Sequence, residues 1–192
     1  MTEPDTRDVA LIIGGGPGIS ASCARLFTKN GMRVAVAARN PDKPVLHALE
    51  KTHGVRRYAC DAREPAAVET LFQRVVQDLG SPTLVVHNID GRVPGIFGKG
   101  IVESDPDMAL DTLLNAAFSA FLVGRQAARL MLEHQPNANG AKGTIIFTNA
   151  SAALKGFARS GAFAMACHAK SGLAQSMARE LMPQGIHVAN VP

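Results

Sequence analysis

The stretch that decides the fold is Val9–Ser20, VALIIGGGPGIS, in which an apolar run leads directly into a glycine-rich turn. Val9–Ile13 has the length and composition of a buried β-strand, and helical spacing begins after the turn. Gly14, Gly16 and Gly18 allow a sharp turn and a close approach to a ligand, because glycine has no Cβ. The free N–H groups at the start of the next helix favour phosphate. The stretch therefore predicts a phosphate-binding turn between a strand and a helix.

The same order of strand and helix repeats along the chain. The further strand-length apolar runs are Arg33–Ala38, Val55–Cys60, Thr83–His87, Gly143–Thr148 and Ile186–Val191. Helical spacing occupies intervening segments such as Ser22–Lys29, Ala66–Leu79, Met108–His134 and Phe163–Met182. This alternation predicts an α/β fold, a doubly wound, mostly parallel sheet of Rossmann type with strand order 3-2-1-4-5-6 and helices on both faces.

The bulk composition limits the classes of function. The 192 residues, 46% hydrophobic and 19% charged, predict one folded domain over 1–192. We find no apolar run long enough for a bilayer and no signal peptide in Met1–Asp8, so we expect a cytoplasmic protein without a membrane partner. The net charge of +4 comes from scattered Lys and Arg, which argues against nucleic acid. The spacing of the cysteines and histidines predicts reduced thiols and no metal site.

The spacing of the turn resembles that of the short-chain dehydrogenase/reductase family, whose first turn reads T-G-x-x-x-G-I-G. The resemblance implies that the cofactor contacts of the turn are Gly14, Gly16, Pro17, Gly18 and Ile19. Ile13 stands where the family has Thr, and Ser20 replaces the last glycine, which lets helix and strand approach closely. Because serine is small, we expect a tight fit at Ser20.

The residue after the second strand bears on the choice of cofactor. An acidic residue there would bind the ribose of NAD, whereas Arg39 can pair with the 2′-phosphate of NADP, so NADP is favoured over NAD. The alternative is that Arg39 is solvated and Asp42 approaches the ribose. The resemblance also implies that Asp61 contacts the adenine side of the cofactor and that Asn88 stands where the family has N-A-G. Asp90 departs from that motif by adding a negative charge.

In the resembled family an Asn, a Ser, a Tyr and a Lys carry the proton chemistry. The segment from Ala178 to Ile186 matches the family's helix end and sixth strand and sets a register without gaps. That register fills the four positions with Ala116, Ala150, Phe163 and Cys167. A second register makes Lys170 the family's lysine, but it puts Ala166 at the tyrosine position and needs two compensating shifts of three residues. The tyrosine is missing in both registers.

Two neighbouring residues are the candidate catalytic groups. Ser151 is adjacent to the serine position, but it would face the other side of a regular strand, so it can serve only at an irregular strand end. Lys170 lies on nearly the same helix face as Cys167, and its ammonium could reach the cofactor ribose. The alternative for Lys170 is a solvated surface lysine. His87, at the end of the fourth strand, is either an acid/base group or a packed histidine.

Two main functions remain open. The first is an NADP(H)-dependent oxidoreductase that acts on a carbonyl or alcohol with an atypical active site. The second is a nucleotide-binding pseudoenzyme that senses NADP(H) or pairs with an active relative, while a purely structural role predicts no nucleotide binding. The resemblance implies a homo-oligomer through helices 108–134 and 163–182, although core packing explains their small residues equally well. It also implies that the usual C-terminal substrate-binding portion is lacking after Pro192.

Overall fold

A six-stranded parallel sheet forms the centre of the structure, a computed structural model that describes residues 8–192. The strands are β1 (Val9–Ile13), β2 (Arg33–Ala38), β3 (Arg56–Ala59), β4 (Leu84–His87), β5 (Gly143–Thr148) and β6 (Ile186–Val191). They pair in the order β3-β2-β1-β4-β5-β6, and every pairing is parallel. The predicted fold class and strand order are confirmed. The prediction about a signal peptide rests on Met1–Asp8, and residues 1–7 of that segment lie outside the described residues.

The helices cover both faces of this sheet. They are α1 (Ile19–Lys29), α2 (Pro44–His53), α3 (Pro65–Leu79), α4 (Pro106–Leu113), α5 (Ser119–Glu133) and α6 (Gly161–Leu181). One core cluster joins α3, α5 and α6 to the sheet, and another joins α1 and α2 to it. All five residues of β1 are buried, as expected for a central strand covered on both sides.

Two helix boundaries differ from the sequence prediction in ways that affect the site. Helix α1 begins at Ile19, about one residue before the predicted start near Ser20, and Gly18 serves as its N-cap. The predicted helix Met108–His134 is divided by a π-helical turn, Leu114–Phe118, which separates α4 from α5. Such turns occur frequently at functional sites, and this one carries Asn115 and Ala116 into the region above the sheet.

The continuous helical stretch Pro106–Glu133 is long and apolar enough, by length and composition alone, to span a membrane. The search of the sequence for apolar runs did not single out this stretch. Core helices meet the same criterion, and α5 buries Val123, Ala127 and Met131 in the hydrophobic core. Packing against the sheet accounts for its apolar character.

Candidate functional site

The glycine-rich turn is held tightly against the ends of two strands. The N–H groups of Gly14 and Gly15 both donate to the carbonyl of Ala37 at 2.9 Å. Gly14 has φ +100°, and a Cβ there would lie 2.2 Å from the backbone oxygen of Asn88. A Cβ at Gly16 or Gly18 would instead meet nothing within 4 Å. The turn is therefore packed on one side and open on the other, as a ligand-binding backbone must be.

Ser20 ties this turn to the neighbouring strands. Its hydroxyl donates to the carbonyl of Gly14 at 2.8 Å and accepts from Nδ2 of Asn88 at 2.7 Å. Oδ1 of Asn88 in turn accepts from the hydroxyl of Thr148 at 2.8 Å. Ser20 is buried, so the side chain fits within the close contact of helix and strand. The expected tight fit is present, and the hydroxyl adds two hydrogen bonds that a glycine could not make.

A cavity of about 710 Å³ opens above the turn at the carboxyl ends of β1, β2 and β4. Ligands of doubly wound sheets bind at this edge. The structure brings all the sequence-predicted cofactor residues to its wall: Gly14, Gly16, Pro17, Gly18, Ile19, Arg39, Asp61 and Asn88. The open glycines, a helix N-terminus and several cations give this first cavity the donor set that a phosphate-bearing ligand requires.

Arg39 and Lys43 form the basic end of the first cavity. Arg39 is exposed, whereas Nζ of Lys43 donates to the carbonyl of Gly15 at 2.8 Å. Asp42 does not line this cavity, because its carboxylate is 3.0 Å from Nη1 of Arg57. The alternative in which Asp42 approaches a ribose is therefore not supported. Lys43 was not predicted from the sequence, because its contact with Gly15 depends on how the connection between β2 and α2 folds.

Asp61 also lines the first cavity and is paired with Arg63. Nη2 of Arg63 is 2.9 Å from Oδ2 of Asp61, and Nη1 of Arg63 is 3.6 Å from Oδ1 of Asp111 on α4. The side-chain hydrogen bond from Arg63 is the main cause that lowers the pKa of Asp61, so the carboxylate is ionised at neutral pH. Asp61 is therefore a fixed acceptor rather than a group that exchanges protons.

A second cavity of about 280 Å³ adjoins the first one. Ile19, Asn88, Ile89, Asp90 and Arg92 line both. The wall of the second cavity also contains Ala116, Ala150, Phe163 and Cys167, the four residues that the sequence register predicts at the family's catalytic positions, together with Lys170. These residues come from the π-helical turn, the end of β5 and the start of α6. The structure therefore gathers them in one place, as a catalytic group requires.

The glycine-rich loop Gly91–Gly100 contributes to this second cavity. Gly91 packs so closely that a Cβ would lie 2.5 Å from Cβ of Ala116. Phe97 places its ring edge-on against Phe163, with ring centroids 5.1 Å apart. The loop therefore lies beside the site, because Gly91, Arg92 and Phe97 all line the cavity.

Lys170 is the buried cation of the second cavity, with 3% of its surface exposed. Its Nζ donates to the carbonyl of Ile89 at 3.2 Å and to the carbonyl of Thr148 at 3.1 Å. Burial is the main cause that lowers the pKa of Lys170 to about 8, although Cys167 and Asp90 act in the opposite direction. The interpretation of Lys170 as a solvated surface lysine is wrong.

The other sequence candidates lie elsewhere or are packed. Ser151 begins a short 3-10 turn, Ser151–Ala153, just after β5; its side chain is exposed and lines neither of the two cavities. The irregular strand end is present, but it turns Ser151 outwards.

His87 is fully buried with Nε2 2.8 Å from Oγ of Ser119, and burial holds its pKa well below the usual range. His87 is therefore a packed histidine. Within residues 8–192, no group of three or more metal-ligating side chains is placed to hold an ion.

The sheet order and the glycine-rich turn over its crevice define a Rossmann-type domain. The chain belongs to the short-chain dehydrogenase/reductase family, a family of oxidoreductases that bind nicotinamide dinucleotides. Residues 15–191 match a family model described as enoyl-(acyl carrier protein) reductase.

Several named proteins are similar over most of the chain. Short-chain dehydrogenase reductase ATA1 of Arabidopsis thaliana is 30% identical over 100% of this chain and 68% of its own length. Short chain aldehyde dehydrogenase 1 of Euphorbia lathyris is 28% identical over 94% of this chain and 60% of its own length. The chain thus spans between 60% and 72% of the curated relatives that it matches.

Solved structures agree with this assignment. A short-chain dehydrogenase from Rhodopseudomonas palustris superposes with a TM-score of 0.82 and 33% identity over 95% of this chain and 82% of that one. A point variant of actinorhodin polyketide ketoreductase, solved with NADPH, has a TM-score of 0.84 and 26% identity over 96% of this chain and 69% of its own.

Proposed function

We propose that this chain is an NADP(H)-dependent oxidoreductase that acts on a carbonyl or alcohol through an atypical active site. The observation that carries the proposal is the pair of adjoining cavities. One has a basic end beside the glycine-rich turn, and the other holds the buried amine of Lys170. A dinucleotide that lies along the first cavity reaches the second one, because the five residues around Asn88 line both. When bound, its nicotinamide ring supplies or accepts a hydride.

The preference for NADP rests on two cations. Arg39 and Lys43 line the same end of the first cavity, and Arg39 stands where NAD-binding chains carry an acidic residue. Lys43 is fixed by its hydrogen bond to Gly15, so its positive charge sits beside the turn. A 2′-phosphate would gain charge-assisted hydrogen bonds from such cations. The ketoreductase with NADPH among the similar structures is in keeping with this choice.

A nucleotide-binding pseudoenzyme is the second candidate function. It is favoured by the side chains of Ala116, Ala150, Phe163 and Cys167, since no ordinary proton-donating hydroxyl lines the wall at these positions. Such a protein would bind NADP(H) as a sensor, or would pair with an active relative, without turnover. The two functions share the first cavity and differ in what the second one does.

Titration with NADPH and NADH tests the proposed function. The chain has no tryptophan, so the fluorescence of the reduced nicotinamide can be followed with little protein background. We expect NADPH to bind at least about tenfold more tightly than NADH, a difference of ~1.4 kcal/mol. Loss of NADPH absorbance with small ketones then separates the oxidoreductase from the pseudoenzyme. Failure to bind either dinucleotide would refute both.

We also propose that the chain forms a homodimer or tetramer through the helices within 108–134 and 163–182. Phe118 and Phe121 stack with centroids 6.3 Å apart and are exposed, as are Leu110 and Met165. Burying such a surface against a second copy would stabilise association. Phe121→Glu should shift the protein to a monomer in light scattering, while Leu26→Glu on α1 should not. A monomeric wild-type protein would contradict the proposal.

We further propose a cytoplasmic location, because the three cysteines form no disulfide bonds. Cys23, Cys60 and Cys167 are all free, and Cys60 and Cys167 are buried. Burial raises the pKa of each of these three thiols, and in Cys60 it raises the pKa to about 11. Protonated, unpaired thiols suit a reducing compartment.

A further inference from the structure

Reduction of a carbonyl needs a proton for the oxygen as well as a hydride for the carbon. The second cavity therefore has to contain a donor if the proposed function holds, and the inference below rests on that function. Its ionisable residues are Asp90, Arg92, Cys167 and Lys170. His87, which feels the charge of Lys170 from β4, is fully buried and does not line the cavity.

Three of these four groups are poor proton donors near neutral pH. Burial raises the pKa of Asp90, but the hydrogen bonds and charge of Arg92 outweigh it, so the carboxyl pKa lies below its usual range. Arg92 is hydrogen-bonded to that carboxylate, and a guanidinium does not release its proton. Burial raises the pKa of Cys167, and the charge of Lys170 offsets this only in part. Only Lys170 remains as a donor.

The contacts of Lys170 leave one position on its nitrogen available. An ammonium group has three N–H donors, and two of them are directed at the carbonyls of Ile89 and Thr148. The same two bonds can be made by the neutral amine, which then has a lone pair in the third position. Because Lys170 also lines the second cavity, a bound substrate can meet this third position. The nitrogen can therefore give up and regain a proton without losing its anchors.

We propose that Lys170 is a catalytic residue that donates the proton to the carbonyl oxygen of the substrate. The family resemblance expects a lysine at the position of Cys167. Lys170 lies three residues later on α6, about one helical turn away, so its amine can reach the same cavity. Phe163, at the resemblance-derived tyrosine position, forms an apolar wall with Phe97. Both rings line the second cavity with Lys170, which is 3% exposed.

When bound beside the glycine-rich turn, NADPH would supply the hydride and with it both electrons for the carbonyl carbon. The π pair of the C=O bond then moves to the oxygen, and that oxygen takes the third proton of Nζ. The products are the alcohol, NADP⁺ and a neutral amine, which regains a proton from solvent. Reduction therefore requires protonated Lys170 and should weaken as the pH rises above about 8, whereas alcohol oxidation should strengthen over the same range.

Labelling of the wild-type chain provides a readout that is independent of turnover. Formaldehyde with cyanoborohydride methylates neutral amines, and the reagents are small enough for a cavity of about 280 Å³. We expect the rate at Lys170, followed by mass spectrometry, to rise with a midpoint near pH 8 and to fall when NADPH is bound. A midpoint near the ordinary value of 10.5 would overturn the inference.

Variants separate proton donation from binding. Lys170→Met and Lys170→Gln should lower the NADPH-dependent reduction of diacetyl, a small diketone, by roughly 100-fold or more. Lys170→Arg retains the charge but not the exchangeable proton, so it should lose reduction to a similar extent. In each variant the dissociation constant for NADPH should stay within about threefold of wild type. Lys51→Met, on the exposed face of α2, is the matched control and should reduce diacetyl normally.

The outcomes distinguish this inference from the proposed function. If Lys170→Met binds NADPH and reduces diacetyl as well as wild type does, or keeps the wild-type pH profile, Lys170 is not the donor and the oxidoreductase proposal stands. If wild type does not bind NADPH, the proposed function fails first. Should the Met variant not fold, Lys170→Gln and the labelling of wild type still decide the role.

Discussion

Gly14→Ala is expected to abolish NADPH binding and to lower the free energy of unfolding by about 3 kcal/mol or more. The alanine would have to adopt φ +100°, which costs ~1–2 kcal/mol for a residue with a Cβ. Its Cβ would also lie 2.2 Å from the backbone oxygen of Asn88, and relief of such overpacking costs a further ~1–3 kcal/mol. For a chain of this length we expect a fall of roughly 10 °C in the melting temperature.

Gly16→Ala is the matched control for this change. It lies two residues away in the same turn, but its Cβ would meet no protein atom within 4 Å and would point into open space. We expect Gly16→Ala to retain the melting temperature of wild type within about 3 °C and still to weaken NADPH binding. A Gly14→Ala variant that melts like wild type and binds NADPH would show that the turn is not packed as described.

Arg39→Asp is expected to reverse the preference between the two dinucleotides. The change removes a charge-assisted hydrogen bond worth ~1.5–3 kcal/mol and adds a carboxylate that repels a 2′-phosphate, so NADPH affinity should fall by roughly 10- to 100-fold or more. The same carboxylate can accept hydrogen bonds from the ribose hydroxyls of NADH. Fluorescence titration with both dinucleotides at one ionic strength measures the result.

Arg25→Asp controls for the change in net charge. Arg25 is exposed on α1, and it is not among the residues that line the first cavity. We expect this variant to keep the wild-type ratio of NADPH to NADH affinity, with only a small general weakening that disappears at higher salt. If Arg39→Asp also leaves the ratio unchanged, Arg39 does not contact the phosphate and Lys43 is the next residue to replace.

The framework of the fold was predictable from sequence because its signals are local. The bounds of β1 and β2 follow from apolar runs that end at glycine or polar residues, and the structure reproduces both. The turn at Gly14 could be recognised since its glycines directly follow the first apolar run and directly precede a helical segment. These features depend on residues that are near one another in the chain or on the regular spacing of apolar residues along a strand or helix.

The active-site details were less predictable because they depend on distant backbone. Lys170 is anchored by the carbonyls of Ile89 and Thr148, which lie 81 and 22 residues away in sequence. A lysine in an Ala-rich helix looks solvated until that contact is seen. The exposed position of Ser151 also depended on how the chain leaves β5, and the π-helical turn around Ala116 has no simple sequence period.

Thr148 connects the hydrogen bonds around Ser20 to the amine of Lys170. Its hydroxyl is linked through Asn88 and Ser20 to the carbonyl of Gly14, while its own carbonyl accepts from Nζ of Lys170. One rigid strand end thus fixes the distance between the turn and the amine. The entropic cost of bringing these groups together is met once, during folding, and is not repeated in each turnover. Ser20, which stands where the resemblance expects a glycine, therefore contributes to preorganisation of the site.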